Sequence, residues 1–221
     1  MKYLAVLFDC DGVLADSESL TNGVLRDMLQ ELGWNLSVDD CMRMFVGKAV
    51  KDEMAQIAVK TGQTLTADWQ AEFVQRRNLA LQTNLQAIPQ IHAAVQQIHA
   101  QQNGAIACAS GADRFKVEMM LRHLKLIDYF EGRIFSGYEM PRSKPFPDVY
   151  LAAAAALAAV PEQCAVIEDT VTGVRAGVAA GATVFAYSPI TTLHVTGAEL
   201  MAAGAQHIFS DMAQLPDLLA S

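Results

Sequence analysis

Short apolar runs recur along the 221-residue chain at 3–9, 104–110, 132–137, 164–169, 182–188 and 207–211 (YLAVLFD, GAIACAS, GRIFSG, CAVIED, ATVFAYS and HIFSD). Each is strand-length and none alternates cleanly between apolar and polar positions, which suits strands covered on both faces. Helical patterns separate them. IPQIHAAVQQIHAQQNG puts Ile91, Val95 and Ile98 on one face and stops at a glycine, DVYLAAAAALAAV runs into Pro161, and TGVRAGVAAG ends before the next run. This alternation predicts an α/β fold, a Rossmann-like core with a mainly parallel sheet between helices.

Residues 17–86 break the rhythm. They carry only helical signals: Leu20, Val24, Leu25, Met28, Leu29 and Leu32 at helical spacing; a Ser37-to-Asp40 capping box; AVKDEMAQIAVKTG; and a helix behind Thr66 as N-cap. Gly33, Gly47 and Gly62 fall where C-caps are expected. Some seventy helical residues are too many for one crossover, so the expectation is an inserted all-helical cap at 17–86 on a catalytic core of 1–16 and 87–221.

Composition narrows the class. Hydrophobic residues make up 52% and charged residues 18%, enough for a large core and against disorder. A net charge of -8 argues against nucleic acid or an anionic membrane as partner, though not against a small anion held by a local cation. VYLAAAAALAAV is well short of the roughly 20 residues of a membrane span, and nothing at the N-terminus reads as a signal peptide. Cys10, Cys41, Cys108 and Cys164 show no C-x-x-C spacing and suit buried, reduced thiols; the expected compartment is the cytoplasm.

In an open parallel sheet, ligands bind outside the carboxyl ends of the strands. The first run delivers Asp9 and Asp11 there, the second Ser110 and Gly111, and the fourth Glu168 and Asp169; the loop after the third carries Lys144. Each residue alone has a plain explanation as a turn, cap or solvated side chain. Together, four converging acids would repel one another and raise each other's pKa, and a divalent metal is the simplest remedy. Oxygen-only ligands suit Mg²⁺, Ser110 at a helix N-terminus suits an anion, and Lys144 would balance phosphate oxygens. The five histidines, His92, His99, His123, His194 and His207, fall away from the strand ends and read as surface or packed residues. The glycines of GVRAGVAAGA lack dinucleotide spacing and suit close packing of a helix on the sheet.

FDCDGVLADS, ASG, SKPFPDVY and VIEDTVTGVRAGVAAGA, in that order, resemble the four motifs of the haloacid dehalogenase-like hydrolases, with a helical cap inserted after the first. The resemblance implies Asp9 as nucleophile and Asp11 as general acid/base. It implies Mg²⁺ held by the Asp9 side chain, the Asp11 carbonyl and the acids at 168–169, and Ser110 and Lys144 on the transferring phosphoryl group. It also makes Lys144-Pro145 a candidate cis bond. An acid at 11 disfavours carbon–halogen chemistry and favours phosphoryl transfer.

The cap resembles those of β-phosphoglucomutases and of sugar-phosphate phosphatases. The mutases' histidine matches Thr21 here, and their cap arginine aligns near Val50 or Lys51. Lys48, Lys51, Arg76 and Arg77 remain possible cap cations. The expectation is therefore a Mg²⁺-dependent phosphatase of a small phosphorylated metabolite. A sugar-phosphate mutase is the alternative; a phosphonate hydrolase using Lys48 or Lys51, or a non-catalytic phosphate-binding protein, ranks lower. The acid at 168–169 that touches the metal, and the oligomeric state, stay open.

Overall fold

The computed structural model describes residues 2–190 and 195–221. Its main sheet is built from β1 (Ala5–Phe8), β4 (Ile106–Ser110), β5 (Ile134–Ser136), β6 (Cys164–Glu168), β7 (Thr183–Tyr187) and β8 (His207–Phe209), each inside one of the six apolar runs. Every ladder is parallel, in the order β5-β4-β1-β6-β7-β8. β1 is central, and the chain builds outward to one side through β4 and β5 before crossing to β6 on the other. That reversal of direction beside β1 opens a crevice at the strands' carboxyl ends.

Successive strand residues serve opposite layers, because side chains alternate across a strand. Val6, Phe8, Ile106, Cys108 and Ile167 pack into the cluster that includes residues of α5 (Ile91–Gln101), α6 (Arg114–His123) and the terminal α10 (Leu215–Ala220). Ala5, Leu7, Ala107, Ala109 and Val166 face α7 (Asp148–Ala156), α8 (Val171–Ala180) and α9 (Gly197–Ala202). This second face is lined by small residues, and the alanine run answers it: Ala153 and Ala154 are buried against it. α7 ends at Ala156, short of the expected stop at Pro161, because Leu157 caps it and Ala158 turns to a positive φ. No helix among the described residues is long and apolar enough to cross a membrane.

Between β1 and β4 the chain forms a helical bundle, α1 (Glu18–Glu31), α2 (Val38–Phe45), α3 (Val50–Thr61) and α4 (Ala67–Asn84). It has its own core of Leu25, Met28, Leu29, Phe45, Ile57 and Phe73. Thr66 and Ser37 accept backbone N–H bonds as N-caps, although Asp40 returns to the Ser37 hydroxyl rather than to its backbone N–H. Gly33, Gly47 and Gly62 all have positive φ. The purely helical reading of this stretch missed its root, where β2 (Ala15–Asp16) pairs antiparallel with β3 (Gln86–Ala87). Two-residue strands are too short for any hydrophobic period to reveal.

The α8 glycines do permit close packing: a Cβ at Gly177 would lie 2.8 Å from Val184 and 3.1 Å from Val166. Helix propensity alone favours Gly177→Ala by up to ~1 kcal/mol, whereas overpacking typically costs about 1–3 kcal/mol. We expect a net loss of about 1 kcal/mol, read as a lower urea midpoint at unchanged m-value; a stabilised variant would contradict the close contact.

Candidate active site

Four loops deliver their side chains to the carboxyl edge of β1, β4, β5 and β6. Asp9 directly follows β1, and Glu168 ends β6 with Asp169 after it. Lys144, from the loop after β5, donates to Asp9 Oδ1 and to Glu168 Oε1, both at 2.7 Å. All of these side chains are buried, and Lys144 is joined to Pro145 through a cis peptide bond. Burial alone would lower the Lys144 pKa, but Asp9 and Glu168 outweigh it and hold the ammonium charged.

Glu168 is fully enclosed. Its Oε1 also accepts the Tyr150 hydroxyl at 2.7 Å, while Oε2 accepts the Asp169 and Thr170 N–H groups and the Thr170 hydroxyl. Gly173 on α8 makes room for it, since a Cβ there would fall 1.8 Å from Oε1. Oxygens of Asp9, Glu168 and Asp169 lie within 4.8 Å of one another, three carboxylates with Lys144 bonded to two of them. Burial, then repulsion by neighbouring acids, pushes Asp169 well above the usual range. Burial raises Asp9 to about 7, with Lys144 pulling against it. Buried hard oxygens with excess negative charge fit a divalent cation such as Mg²⁺.

Asp11 stands apart from this trio. Its Oδ1 accepts Lys116 Nζ at 2.6 Å and the Ser17 hydroxyl. Burial would raise its pKa, but Lys116 and Ser17 overcome that and hold the carboxyl below its ordinary value. Gly12, next in the chain, has φ +76°, and a Cβ there would sit 2.0 Å from Asp169 Oδ2.

Ser110, at the end of β4, accepts the Ala112 N–H. It is not at a helix N-terminus as expected, because α6 begins at Arg114 and is capped by Asp113, whose carboxylate accepts the Lys116 N–H. Ser110, Gly111, Asp9, Asp11 and Lys144 all line one cavity of about 580 Å³, roofed by the bundle.

The bundle is tied down around this cavity. Arg77 reaches Asp113 at 3.2 Å, Lys51 lies 3.6 Å above the Tyr138 ring, and Gly47 abuts Thr170. Lys48, Lys51 and Arg77 line the cavity, but Arg76 does not: it pairs with Glu31 and Glu72 on the outside. Thr21 lines it as well. His92, His99, His123 and His207 do not, and His194 lies outside the described residues. All four cysteines are free and buried.

Sequence reading missed Ser17, Glu18, Lys116, Tyr150 and Thr170. Two left traces: a lone tyrosine opening an alanine helix, and a lysine one turn into the helix after Ser110-Gly111.

Residues 3–181 match the haloacid dehalogenase-like hydrolase family model. The chain belongs to the haloacid dehalogenase-like hydrolases. Among relatives of this hydrolase, the 6-phosphogluconate phosphatase of Escherichia coli (strain K12) is 31% identical over 97% of this chain and 93% of its own. Hexitol phosphatase B of the same organism is 30% identical over 81% of each chain. A family hydrolase from Deinococcus radiodurans R1, solved with bound phosphate and sodium, superposes with a TM-score of 0.80. It is 32% identical, covering 99% of this chain and 96% of that one.

Glu18 also lines the cavity, and burial, with Asp11 nearby, raises its pKa from 4.5 to about 8. A carboxyl raised on folding contributes stability that is fully present below its unfolded pKa and lost as pH climbs through the folded one. Glu18→Gln removes this dependence. Its urea-unfolding stability in EDTA should therefore gain on wild type as pH rises from 4.5 to about 8; a gain on acidification would contradict it.

Proposed function

We propose that this hydrolase is a Mg²⁺-dependent phosphatase acting on a small phosphorylated metabolite, a sugar or sugar-acid phosphate, through an aspartyl-phosphate. The observation that carries this is the division of the acids: Asp9 on the Lys144 bridge at the cavity floor, Asp11 clamped separately beside it. Asp9 attacks phosphorus; an oxygen–phosphorus bond forms as the bond to the leaving oxygen breaks, and Asp11, ionised at rest beside Lys116, takes a proton from the bound phosphate monoester and passes it to that oxygen. Water then attacks the same phosphorus, Asp11 takes back a proton, and the Asp9–phosphorus bond breaks to free inorganic phosphate. Ser110, Gly111 and Lys144 hold the phosphoryl oxygens.

Mg²⁺ would be held by Asp9, Asp169 and the Asp11 backbone carbonyl, with Glu168, already saturated by five donors, fixing Lys144 and the Asp169 backbone. When bound, it neutralises charge on the transferring phosphoryl group.

The cap unit 17–86 closes over the core of 1–16 and 87–221 to exclude water during the first transfer. Thr21, where mutases resembling this chain carry histidine, supports transfer to water rather than to a second sugar oxygen. The named substrates of the relatives make 6-phosphogluconate and hexitol phosphates the first compounds to test.

Phosphate release from one of these should vanish in Asp9→Asn at unchanged circular dichroism; turnover by that variant would overturn the nucleophile. Activity should be abolished by EDTA and restored by Mg²⁺, and EDTA-resistant hydrolysis would overturn the metal. β-Glucose 1-phosphate with its bisphosphate should yield inorganic phosphate; glucose 6-phosphate without phosphate release would favour the mutase.

A further inference from the structure

Lys116 is a buried, charged side chain of the site to which the proposed reaction gives no part. It is 6% exposed, and among the described residues its ammonium has one hydrogen-bond partner, Asp11 Oδ1 at 2.6 Å. It is also the third residue of α6, in the turn where the helix dipole disfavours a cation. A buried lysine at a helix N-terminus is unfavourable on both counts unless its partner requires it.

The partner shows the purpose. Lys116 and Ser17 both donate to the same oxygen of Asp11, and no hydrogen bond among the described residues reaches Oδ2. An oxygen already accepting two donors does not also carry a proton, so a protonated Asp11 carries it on Oδ2. Asp11 lines the cavity, and two donors on one of its oxygens fix its rotamer there. Lys116 is itself anchored: Asp113 accepts its N–H with Oδ1 and takes Arg77 from the bundle with Oδ2.

We propose that Lys116 is a positioning residue which, with Ser17, clamps Asp11 Oδ1 and presents Oδ2 as the proton-donating oxygen to the leaving group. This rests on the reading of Asp11 as the proton donor.

Proton donation matters for an alkoxide leaving group and little for p-nitrophenolate, so the leaving group separates positioning from folding or binding. Single-turnover release, with Mg²⁺ saturating, reports the first transfer alone. Lys116→Met should slow release from a hexose phosphate about 10- to 100-fold, within the range of general acid catalysis. Release from p-nitrophenyl phosphate should change by less than about threefold, with KM for both substrates steady. Ser17→Ala should give a smaller loss with the same selectivity. If Lys116→Met does not fold, Lys116→Gln, which keeps a donor and drops the charge, takes its place with the same expected selectivity. Equal losses on both substrates, or a raised KM at unchanged kcat, would overturn the clamp. Asp11→Asn is the reference. If it discriminates between leaving groups and the Lys116 variants do not, the clamp alone fails; if it does not discriminate, the role of Asp11 fails.

Discussion

The Lys144 ammonium, bonded at once to Asp9 and Glu168, is the interaction on which the rest of the site depends. It joins a loop after β5 to the ends of β1 and β6, strands that do not pair with β5. Without it two buried carboxylates would face each other in a poorly screened interior, where one would protonate or the strand ends would part. Truncating one partner of a buried charge pair commonly costs about 3–5 kcal/mol, so the bridge is structural as well as chemical.

Around that bridge, neighbouring atoms are spent on making room. Gly173 vacates the volume that Glu168 fills, Gly12 vacates the volume beside Asp169, and Tyr150 satisfies Glu168 from α7. The same α7 uses alanines to lie close on the small face of the sheet, which brings its first turn within reach of the acid. Close packing and the chemistry of the site are one constraint here. The three acids clustered there suit a cation, while Lys116 pairs with Asp11 separately.

Much of this was legible in the chain. The six strands stood out because strands buried on both faces are continuous apolar runs, and the bundle because seventy residues kept a helical period. Asp9, Asp11, Ser110, Lys144, Glu168 and Asp169 were placed on one edge because strand ends and the loops after them converge there in a parallel sheet. Lys116, Ser17, Tyr150 and Thr170 were not, because each sits inside an ordinary helical or turn pattern and gains its meaning from a partner distant in sequence. Lys116 meets Asp11 across 105 positions. The four cap cations looked alike in sequence, yet α4 turns Arg77 inward to Asp113 and Arg76 outward to Glu31 and Glu72. That choice follows from which face of α4 packs on the core.

What the sequence determined by itself was therefore local and periodic: element types, the inserted helical stretch, and the residues that close each strand. The tertiary structure decided which oxygen faces which cation. It separated Asp11 from the other three acids, enclosed Glu168 and left Asp169 beside Asp9, and moved the α6 cap from Ser110 to Asp113. Periodicity follows from covalent geometry along one chain, whereas charge pairing depends on distances of a few ångströms between segments that only folding brings together.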